Sequence, residues 1–424
     1  MSLKPSGYLP RLVDKKIERY LSIFGALSIE GPKWCGKTWT SLNHANSLFS
    51  LNDSQQLNLA KLDINYIFKE KNRPELIDEW NLLPETWDAV RNECDKTQNK
   101  GNFILTCSTK LSDEEQKEKI KHSGAGRIGR ISMRTMSLFE SGDSTGKVSI
   151  SDMYNNKIIS DVNDKISLEK IAYLIVRGGW PSNINAKQED AGVLPKSYIE
   201  NILETDMNDD KKRNKSKMKM ILQSLARNES SISGKKIILK DIQESNKDSV
   251  ESIITLDDYI DVLERLHIVK NQKAYSSNYR SPDRLGKLAK RHFVDQSLAC
   301  ACLDINQNKL INDIRTFGLM FESMVERDLE IYMDYLNGNI YHLRDNVTGL
   351  ESDAILEFED GEYAIVEIKL GANQIEEAEK NLIKVCKSMK KEPKFMCVIY
   401  GLGDIITKDK NTGIYVIPIT ALKP

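Results

Sequence analysis

The chain has few of the residues that build metal or disulfide centres. Its 424 residues include only five histidines and seven cysteines, and Cys300 and Cys302 form the only close cysteine pair. Their separation by a single residue does not match the usual zinc-binding motifs, so we expect no structural zinc site. Scattered free thiols suit a reducing compartment, and we expect a cytoplasmic protein.

The sequence also lacks long apolar runs and an excess of charge of either sign. Without a run of about 18 apolar residues, and without the apolar core of a signal peptide, we expect no membrane partner. The 61 basic and 62 acidic residues give a formal net charge of -1, so no global basic field attracts nucleic acid. Any contact with DNA would therefore need a local basic patch.

The first part of the chain alternates apolar strands with helices. Apolar runs at residues 26–30, 74–79 and 102–107 predict three buried strands, and a helix is predicted to begin at residue 37 and another to span residues 84–94. Strands that alternate with helices are typical of a parallel sheet covered on both faces. We therefore predict an α/β fold for this part.

The first predicted strand leads into the run GPKWCGKT, which fills the pattern G-x-x-x-x-G-K-[ST]. In this pattern, backbone N–H groups and the start of a helix point at phosphate groups. Lys37 is expected to reach the β- and γ-phosphates, and the Thr38 hydroxyl is expected to bind Mg²⁺. We predict an ATP site whose nucleotide contacts come from Gly31, Pro32, Lys33, Trp34, Cys35, Gly36, Lys37, Thr38 and Trp39.

The ends of the other two predicted strands supply candidate catalytic groups. Asp78 and Glu79 follow the second strand, where P-loop ATPases use an Asp to hold Mg²⁺ through water and a Glu to polarise the attacking water. Ser108 follows the third strand, where a polar residue could sense the γ-phosphate. A simple turn cap is the alternative interpretation of Ser108.

Two arginines, Arg127 and Arg130, lie in the run SGAGRIGR. An arginine here could stabilise transition-state charge, either within one chain or from a neighbouring subunit. The alternative is a pair of surface arginines without a catalytic role.

A second set of charged residues lies near the end of the chain. Asp353 precedes Glu367 and Lys369, and two carboxylates with a lysine can hold a metal and orient water for phosphodiester cleavage. Glu367 and Lys369 share one face of a predicted strand, but a two-residue turn would place Asp353 on the other face. The nuclease interpretation therefore requires a longer turn or a bulge; Glu322, or Glu326 one helical turn on, could supply a further ligand. An ordinary hairpin with surface charges is the alternative.

The middle of the chain predicts helices, and residues 217–274 have the pattern of three helices and a small hairpin. That pattern fits a winged helix-turn-helix, which can bind DNA phosphates or a protein. The lysines of residues 211–219 could contact DNA, or they could form a solvated helix face. We expect four domains: an ATPase core at 1–160, a helical lid at 161–210, a winged helix at 211–290 and a C-terminal domain at 291–424.

Taken together, the motifs resemble a widespread family of AAA+-like P-loop ATPases of archaea and bacteria. Proteins of this family carry a C-terminal domain with a restriction-endonuclease-like α/β core and uncharacterised function. The resemblance covers nearly the entire chain and rests on the runs GPKWCGKTWT, LIDEWNLLPETW, FILTCS, HSGAGRIGR, RTMSLFESGD, RGGWP, FESMVERD and IKLG. One departure is Cys107, which stands where the family usually has Gly and which we expect to be tolerated.

The resemblance implies roles for single residues. It assigns Walker A roles to Lys37 and Thr38, Walker B roles to Asp78 and Glu79, a sensor role to Ser108 and a candidate arginine finger to Arg127. It aligns the nuclease-like signature with Glu322, Asp353, Glu367 and Lys369, among which Asp353 and Glu367 would hold a metal. We therefore expect a Mg²⁺-dependent ATPase that acts on a C-terminal module. That module either cleaves DNA or, as the alternative, is inactive and binds a protein partner.

Overall fold

The structure is a computed structural model that describes residues 3–157, 160–204, 214–245, 250, 252–276, 288–345 and 349–424. The chain divides into two compact units. The first unit comprises Met1–Thr135 and Val262–Ile268, and the second comprises Met136–Asp261 and Val269–Pro424. The division after residue 135 differs from the boundary predicted at residue 160.

The first unit is built on a parallel five-stranded sheet with strand order β2-β3-β4-β1-β5. The strands are β1 (Ala26–Glu30), β2 (Ser47–Ser50), β3 (Glu75–Asp78), β4 (Phe103–Cys107) and β5 (Ile128–Ser132). The helices are α1 (Asp14–Leu21), α2 (Lys37–His44), α3 (Ser54–Leu62), α4 (Glu85–Thr97) and α5 (Asp113–Lys119). Strands β1, β3 and β4 are buried at every position, as expected for parallel strands between two layers of helices.

The three strands predicted for this part are confirmed within a residue or two, and two further strands were not predicted. Strand β2 has the short sequence SLFS, and β5 has the sequence IGRIS with an arginine at its centre. Both are too short or too polar to give a strong strand pattern.

The second unit begins with the helical part of the chain. Its helices are α6 (Ile150–Tyr154), α7 (Leu168–Arg177), α8 (Val193–Glu204), α9 (Lys215–Arg227), α10 (Lys235–Ser245) and α11 (Ile253–Arg265), whose last turn belongs to the first unit. An antiparallel ribbon of β8 (Val269–Gln272) and β9 (Lys290–Phe293) follows. Three helices before a ribbon is the element order expected of a winged helix, which stays a prediction. Of the predicted lysine-rich stretch, residues 211–213 lie outside the described residues.

The rest of the second unit surrounds a mixed sheet with strand order β10-β11-β12-β13-β15-β14-β7. Its strands are β7 (Ser160–Val162), β10 (Asn339–Arg344), β11 (Glu351–Glu357), β12 (Tyr363–Gly371), β13 (Phe395–Leu402), β14 (Ile405–Lys408) and β15 (Tyr415–Pro418). The helices are α12 (Gln296–Cys302), α13 (Gln307–Asn312), α14 (Ile314–Tyr335) and α15 (Ile375–Ser388). A separate parallel pair joins β6 (Val148–Ser149) to β16 (Leu422–Lys423).

Strand pairing explains why the first unit ends before residue 160. Strand β7 pairs with β14 through Ile405 and Val162, and β6 pairs with β16. The segment after residue 135 therefore contributes strands to the fold of the C-terminal residues, which sequence patterns of separate short strands do not reveal. Among the described residues, no helix combines the length and the apolar character needed to cross a membrane.

A buried ionic cluster holds the second unit together around Arg327. The Arg327 guanidinium donates to Asp328 at 2.7 Å and to Asp295 at 3.0 Å, and all three side chains are buried. Asp295 also accepts from the backbone N–H of Gly179 at 2.9 Å, and Asp328 accepts from that of Leu138 at 2.8 Å. The motifs RGGWP and FESMVERD thus meet in one hydrogen-bonded core.

Candidate functional site

The predicted P-loop connects the end of β1 to the start of α2 in the first unit. Gly36 precedes the helix with a φ of 101°, a conformation that favours glycine. A Cβ atom on Gly31 would lie 2.2 Å from the carbonyl oxygen of Met133, so only glycine fits there. The two glycines of the motif are therefore required by the shape of the loop.

Two basic side chains hold the loop in this shape. The Lys37 ammonium donates to the carbonyl oxygens of Gly31 at 2.9 Å and Pro32 at 2.8 Å. The guanidinium of Arg11 donates to the carbonyl oxygen of Cys35 at 2.8 Å, and the Arg11 side chain is buried. Arg11 was not predicted as a site residue, because a single arginine before the first strand carries no motif.

Hydroxyl and carboxylate groups converge at the P-loop edge of the sheet. The Thr38 hydroxyl donates to Asp78 Oδ1 at 2.9 Å, and the Thr106 hydroxyl donates to the same oxygen at 2.6 Å. Carboxylate and hydroxyl oxygens are the ligands that Mg²⁺ prefers. The two residues that the sequence predicted for Mg²⁺ are thus together and chemically suited to it.

Glu79 is held beside this pair by the end of β4. Its φ is 54°, and its backbone N–H donates to the Thr106 hydroxyl at 3.1 Å. Glu79 Oε2 accepts from the Ser108 hydroxyl at 3.0 Å and from the Ser108 backbone N–H at 3.1 Å. The two strand ends that the sequence singled out therefore contact each other directly.

Arg127 does not reach this edge of its own sheet, whereas the Arg130 guanidinium lies 3.4 Å from the carboxylate of Glu30, the residue of β1 that precedes the P-loop. The backbone carbonyl of Arg127 accepts from the N–H of Ala26, so Arg127 lies beside the start of β1. The P-loop follows the other end of β1, about 13 Å from that start. The Arg127 side chain pairs with Asp95 at 2.7 Å, and the Arg130 guanidinium lies 4.8 Å from the ring of Trp87. In this structure Arg127 is engaged with Asp95, and its finger role, within one chain or from a neighbouring subunit, stays a prediction.

Two tryptophans of the motif region are exposed. Trp34 has 46% and Trp39 has 51% of its surface accessible, whereas Trp80, Trp87 and Trp180 are buried. Exposed aromatic rings next to a P-loop can stack on a nucleotide base.

His267 is a further residue of the first unit that the sequence did not single out. It follows α11 with a φ of 56°, and the nearby carbonyl of Arg265 accepts from the backbone N–H of Lys110 at 3.0 Å. Burial, followed by the positive charges of Lys110 and Lys37, lowers the pKa of His267 to about 3. The imidazole is therefore neutral at physiological pH.

The second candidate site lies in the second unit, where β11 and β12 pair. Ala354 pairs with Val366 and Glu357 with Tyr363, so Asp353 lies directly opposite Glu367. The connection spans residues 358–362, which is the longer turn that the nuclease interpretation required. Strand pairing therefore brings Asp353 and Glu367 to one face.

Lys369 joins these two carboxylates. Its ammonium donates to Glu367 Oε2 at 2.7 Å and lies 3.4 Å from Asp353 Oδ2. Burial, followed by the charge of Asp353, raises the pKa of Glu367 to about 8. The predicted triad is assembled, and Asn381 on α15 also donates to Glu367, at 2.8 Å.

Helix α14 presents two more carboxylates, and both contact Lys290 on β9. The Lys290 ammonium donates to Glu322 and, at 2.8 Å, to Glu326. Glu326 also pairs with His292 at 3.0 Å, and His292 pairs with Glu229 at 3.2 Å. The sequence left the choice between Glu322 and Glu326 open and did not predict Lys290, which lies far from both in sequence.

Comparisons with known proteins match separate parts of the chain. The profile of an AAA domain family matches residues 24–141, and two families described only as domains of unknown function, DUF8612 and DUF4143, match residues 168–309 and 317–422. No curated protein matches the chain.

Several solved structures are similar at low sequence identity. The Walker-type ATPase PABY2304 of Pyrococcus abyssi is 12% identical with a TM-score of 0.43, covering 71% of this chain and 98% of its own. The ORC2 protein of Aeropyrum pernix, solved as ADPNP and ADP complexes, is 12% identical with a TM-score of 0.32, covering 73% and 98%. DnaA from Aquifex aeolicus, bound to AMPPCP, is 14% identical with a TM-score of 0.28, covering 60% and 86%. The profile match and the parallel sheet with its P-loop identify residues 24–141 as an AAA-like P-loop ATPase domain.

Proposed function

We propose that the first unit binds ATP with Mg²⁺ and hydrolyses it. The observation that carries this proposal is the contact of Thr38 with Asp78 at 2.9 Å beside the P-loop, with Glu79 next to it on the chain. A chance glycine-rich turn would not bring a hydroxyl, a metal-binding carboxylate and a second carboxylate to one edge of a parallel sheet.

Each residue has a role that follows from its position. Lys37 exchanges its two loop carbonyls for oxygens of the β- and γ-phosphates and neutralises their charge. Thr38 and Asp78 would hold Mg²⁺, which would offset the negative charge that develops on the phosphates. Glu79 accepts a proton from the attacking water, and Ser108 fixes the Glu79 carboxylate.

The exposed rings of Trp34 and Trp39 are our candidates for contact with the adenine base. Trp34 lies in the loop with a φ of 62°, and Trp39 lies in the first turns of α2. Aromatic stacking on a base contributes about 1–3 kcal/mol. Because both rings are exposed, ATP binding should change their fluorescence.

We further propose that the ATP state regulates the second unit. Helix α11 begins in the second unit, and its last turn, followed by His267, belongs to the first. A change in the ATP site can therefore act on a helix that continues into the rest of the chain. If ATP leaves the protease sensitivity of residues 160–275 unchanged, this coupling is wrong.

Two functions of the C-terminal module compete. In one, the module cleaves DNA with Asp353, Glu367 and Lys369 at its active site. In the other, it is catalytically inactive and binds a protein partner under the control of the ATP cycle. The contact of Lys290 with Glu322 and Glu326 favours the second function.

An ATPase assay with and without DNA, repeated on Glu79→Gln, tests the proposed function. We expect the wild-type protein to hydrolyse ATP and the variant to bind ATP without hydrolysing it. Stimulation of the wild type by DNA would support action on DNA. Hydrolysis at the same rate in Glu79→Gln would contradict the assignment of the site.

A further inference from the structure

We infer that Lys290 occupies the position of a metal cation in the C-terminal carboxylate cluster, which we define as Glu322, Glu326, Asp353 and Glu367. The nuclease-like site of the second unit is therefore held together by internal ammonium groups and not by a divalent ion. This inference concerns a site separate from the P-loop and does not depend on the proposed ATPase activity.

Both oxygens of Glu367 and one oxygen of Asp353 already have cationic or donor partners. Glu367 uses Oε2 for Lys369 at 2.7 Å and Oε1 for Asn381 at 2.8 Å. Asp353 Oδ2 accepts from the backbone N–H of Ile368 at 2.7 Å and lies 3.4 Å from the Lys369 ammonium. A divalent ion would have to displace these partners to bind the same oxygens.

Cationic groups also contact the two carboxylates of α14. Glu326 Oε1 accepts from Lys290 at 2.8 Å, Glu326 Oε2 lies 3.0 Å from His292 without a hydrogen bond, and Glu322 contacts the same Lys290 ammonium. Glu322 and Glu326 were the alternatives for the extra metal ligand, and the nearest charged partner of each is a lysine. Among the described residues, no group of three or more His, Cys, Asp and Glu side chains is arranged to hold a metal ion.

Lys290 is also fixed in place. The residue is 5% exposed, and its backbone belongs to β9, where it pairs with Gln272 of β8. Lys290 is thus a buried ammonium group whose counter-ions are the residues that a metal would need.

Charge repulsion by Lys290 also opposes a metal ion in the cluster. A metal ion within binding distance of Glu322 would lie within a few ångströms of the Lys290 ammonium. Like charges at such distances repel strongly where burial excludes water. The residues present therefore do not fit a divalent ion, and we derive no cleavage chemistry from one.

The position of Lys290 favours one of the two functions proposed for the C-terminal module. With its carboxylates neutralised by lysines, the second unit lacks the ligand set for metal-assisted hydrolysis. It is then a binding module whose polar cluster stabilises the fold.

Binding of Mn²⁺ to the full-length protein without nucleotide tests this inference, because it has a readout independent of any cleavage. Isothermal titration would compare the wild type with Glu367→Gln, so that only metal bound at the cluster contributes to the difference. We expect no difference between the two proteins at millimolar Mn²⁺. Mn²⁺ binding by the wild type that Glu367→Gln abolishes would overturn the inference.

Replacement of the lysine gives a second, opposite readout. Lys290→Met removes the charge and keeps the length of the side chain. We expect this variant to bind Mn²⁺ at least tenfold more tightly than the wild type. The double variant Lys290→Met/Glu367→Gln should lose that gain. Lys290→Arg keeps the charge and should bind no Mn²⁺. A folded Lys290→Met that gains no Mn²⁺ binding would overturn the inference. If Lys290→Met unfolds, the titration of the wild type with Mn²⁺ still tests the inference. Mn²⁺-dependent DNA cleavage that the wild type shows and Glu367→Gln abolishes would also contradict the inference.

Discussion

Ser108 holds Glu79 by two hydrogen bonds to one carboxylate oxygen, from its hydroxyl at 3.0 Å and from its backbone N–H at 3.1 Å. Ser108, directly after β4, therefore fixes the proposed catalytic base, which directly follows the neighbouring β3. If Ser108 serves as the proposed sensor, this contact would link the position of the γ-phosphate to the orientation of the base. Single substitutions at Ser108 and Glu79 can therefore test this contact.

Glu79→Gln should lower the kcat for ATP hydrolysis by about 100-fold or more, because an amide cannot accept the proton of the attacking water. The affinity for ATP should stay within a few-fold of the wild type. Steady-state phosphate release and equilibrium ATP binding measure the two quantities separately. Loss of binding along with hydrolysis would mean that Glu79 is structural.

Ser108→Ala should lower kcat by about tenfold, because it removes one hydrogen bond to a charged carboxylate and leaves the backbone bond in place. Thr109→Ala, on the adjacent residue outside β4, is the matched control and should leave kcat unchanged. Equal kcat for Ser108→Ala and the wild type would show that the serine is only a turn cap.

Arg127→Ala should leave hydrolysis unchanged at protein concentrations where the chain is a monomer, because Arg127 lies at the far edge of the sheet and pairs with Asp95. If Arg127 serves a neighbouring subunit, the wild-type specific activity should rise with protein concentration and that of the variant should not. Activity measured across a dilution series, with light scattering to follow assembly, separates these cases. A loss of activity in the monomer would contradict the geometry.

Much of the first unit could be predicted from the sequence because its motifs are local. The P-loop lies within eight consecutive residues, and β1, β3 and β4 are apolar runs that end at polar catalytic candidates. Such patterns carry both the strand and the chemistry in one short window. Contacts that connect distant residues, such as that of Arg11 with Cys35, leave no signal in a single sequence.

Long-range contacts also limit what could be predicted for the second unit. The sequence predicted Asp353, Glu367 and Lys369, and strand pairing brings them together. No pattern in the sequence indicated that Lys290 lies among the carboxylates of α14. Lys290 reaches Glu322 across 32 residues through the fold. The boundary between the two units could not be predicted either, because β7 pairs with β14, a strand more than 240 residues away in the sequence.

Glu75→Gln should make the first unit less sensitive to pH. Burial raises the pKa of Glu75 to about 7 despite the nearby Arg73, which pairs with it at 2.8 Å. A carboxyl group with a raised folded-state pKa contributes stability that is present below its unfolded pKa and is lost as pH rises through 7.

Thermal melts at pH 5.5 and pH 8 measure this effect. The wild type should lose stability relative to Glu75→Gln as pH rises, so that the difference in Tm between the variant and the wild type grows toward pH 8. A difference that stays constant with pH would show that Glu75 does not titrate in this range.

Arg327→Met should destabilise the second unit by about 3–5 kcal/mol, because it leaves Asp295 and Asp328 buried without their guanidinium partner. Denaturant unfolding followed by circular dichroism measures the loss. Arg315→Met, on the first turn of the same helix, is a control that should change stability little. An Arg327→Met variant as stable as the wild type would contradict the proposed role of this ionic cluster.

Direct titration of the full-length protein with ATP and Mg²⁺ tests the central claim of an ATP site at the P-loop. Isothermal titration of the wild type and of Lys37→Ala should show one ATP bound per wild-type chain and binding at least 100-fold weaker in the variant, because Lys37 neutralises the phosphate charge. Absence of ATP binding by the wild type, or equal binding by Lys37→Ala, would contradict the account.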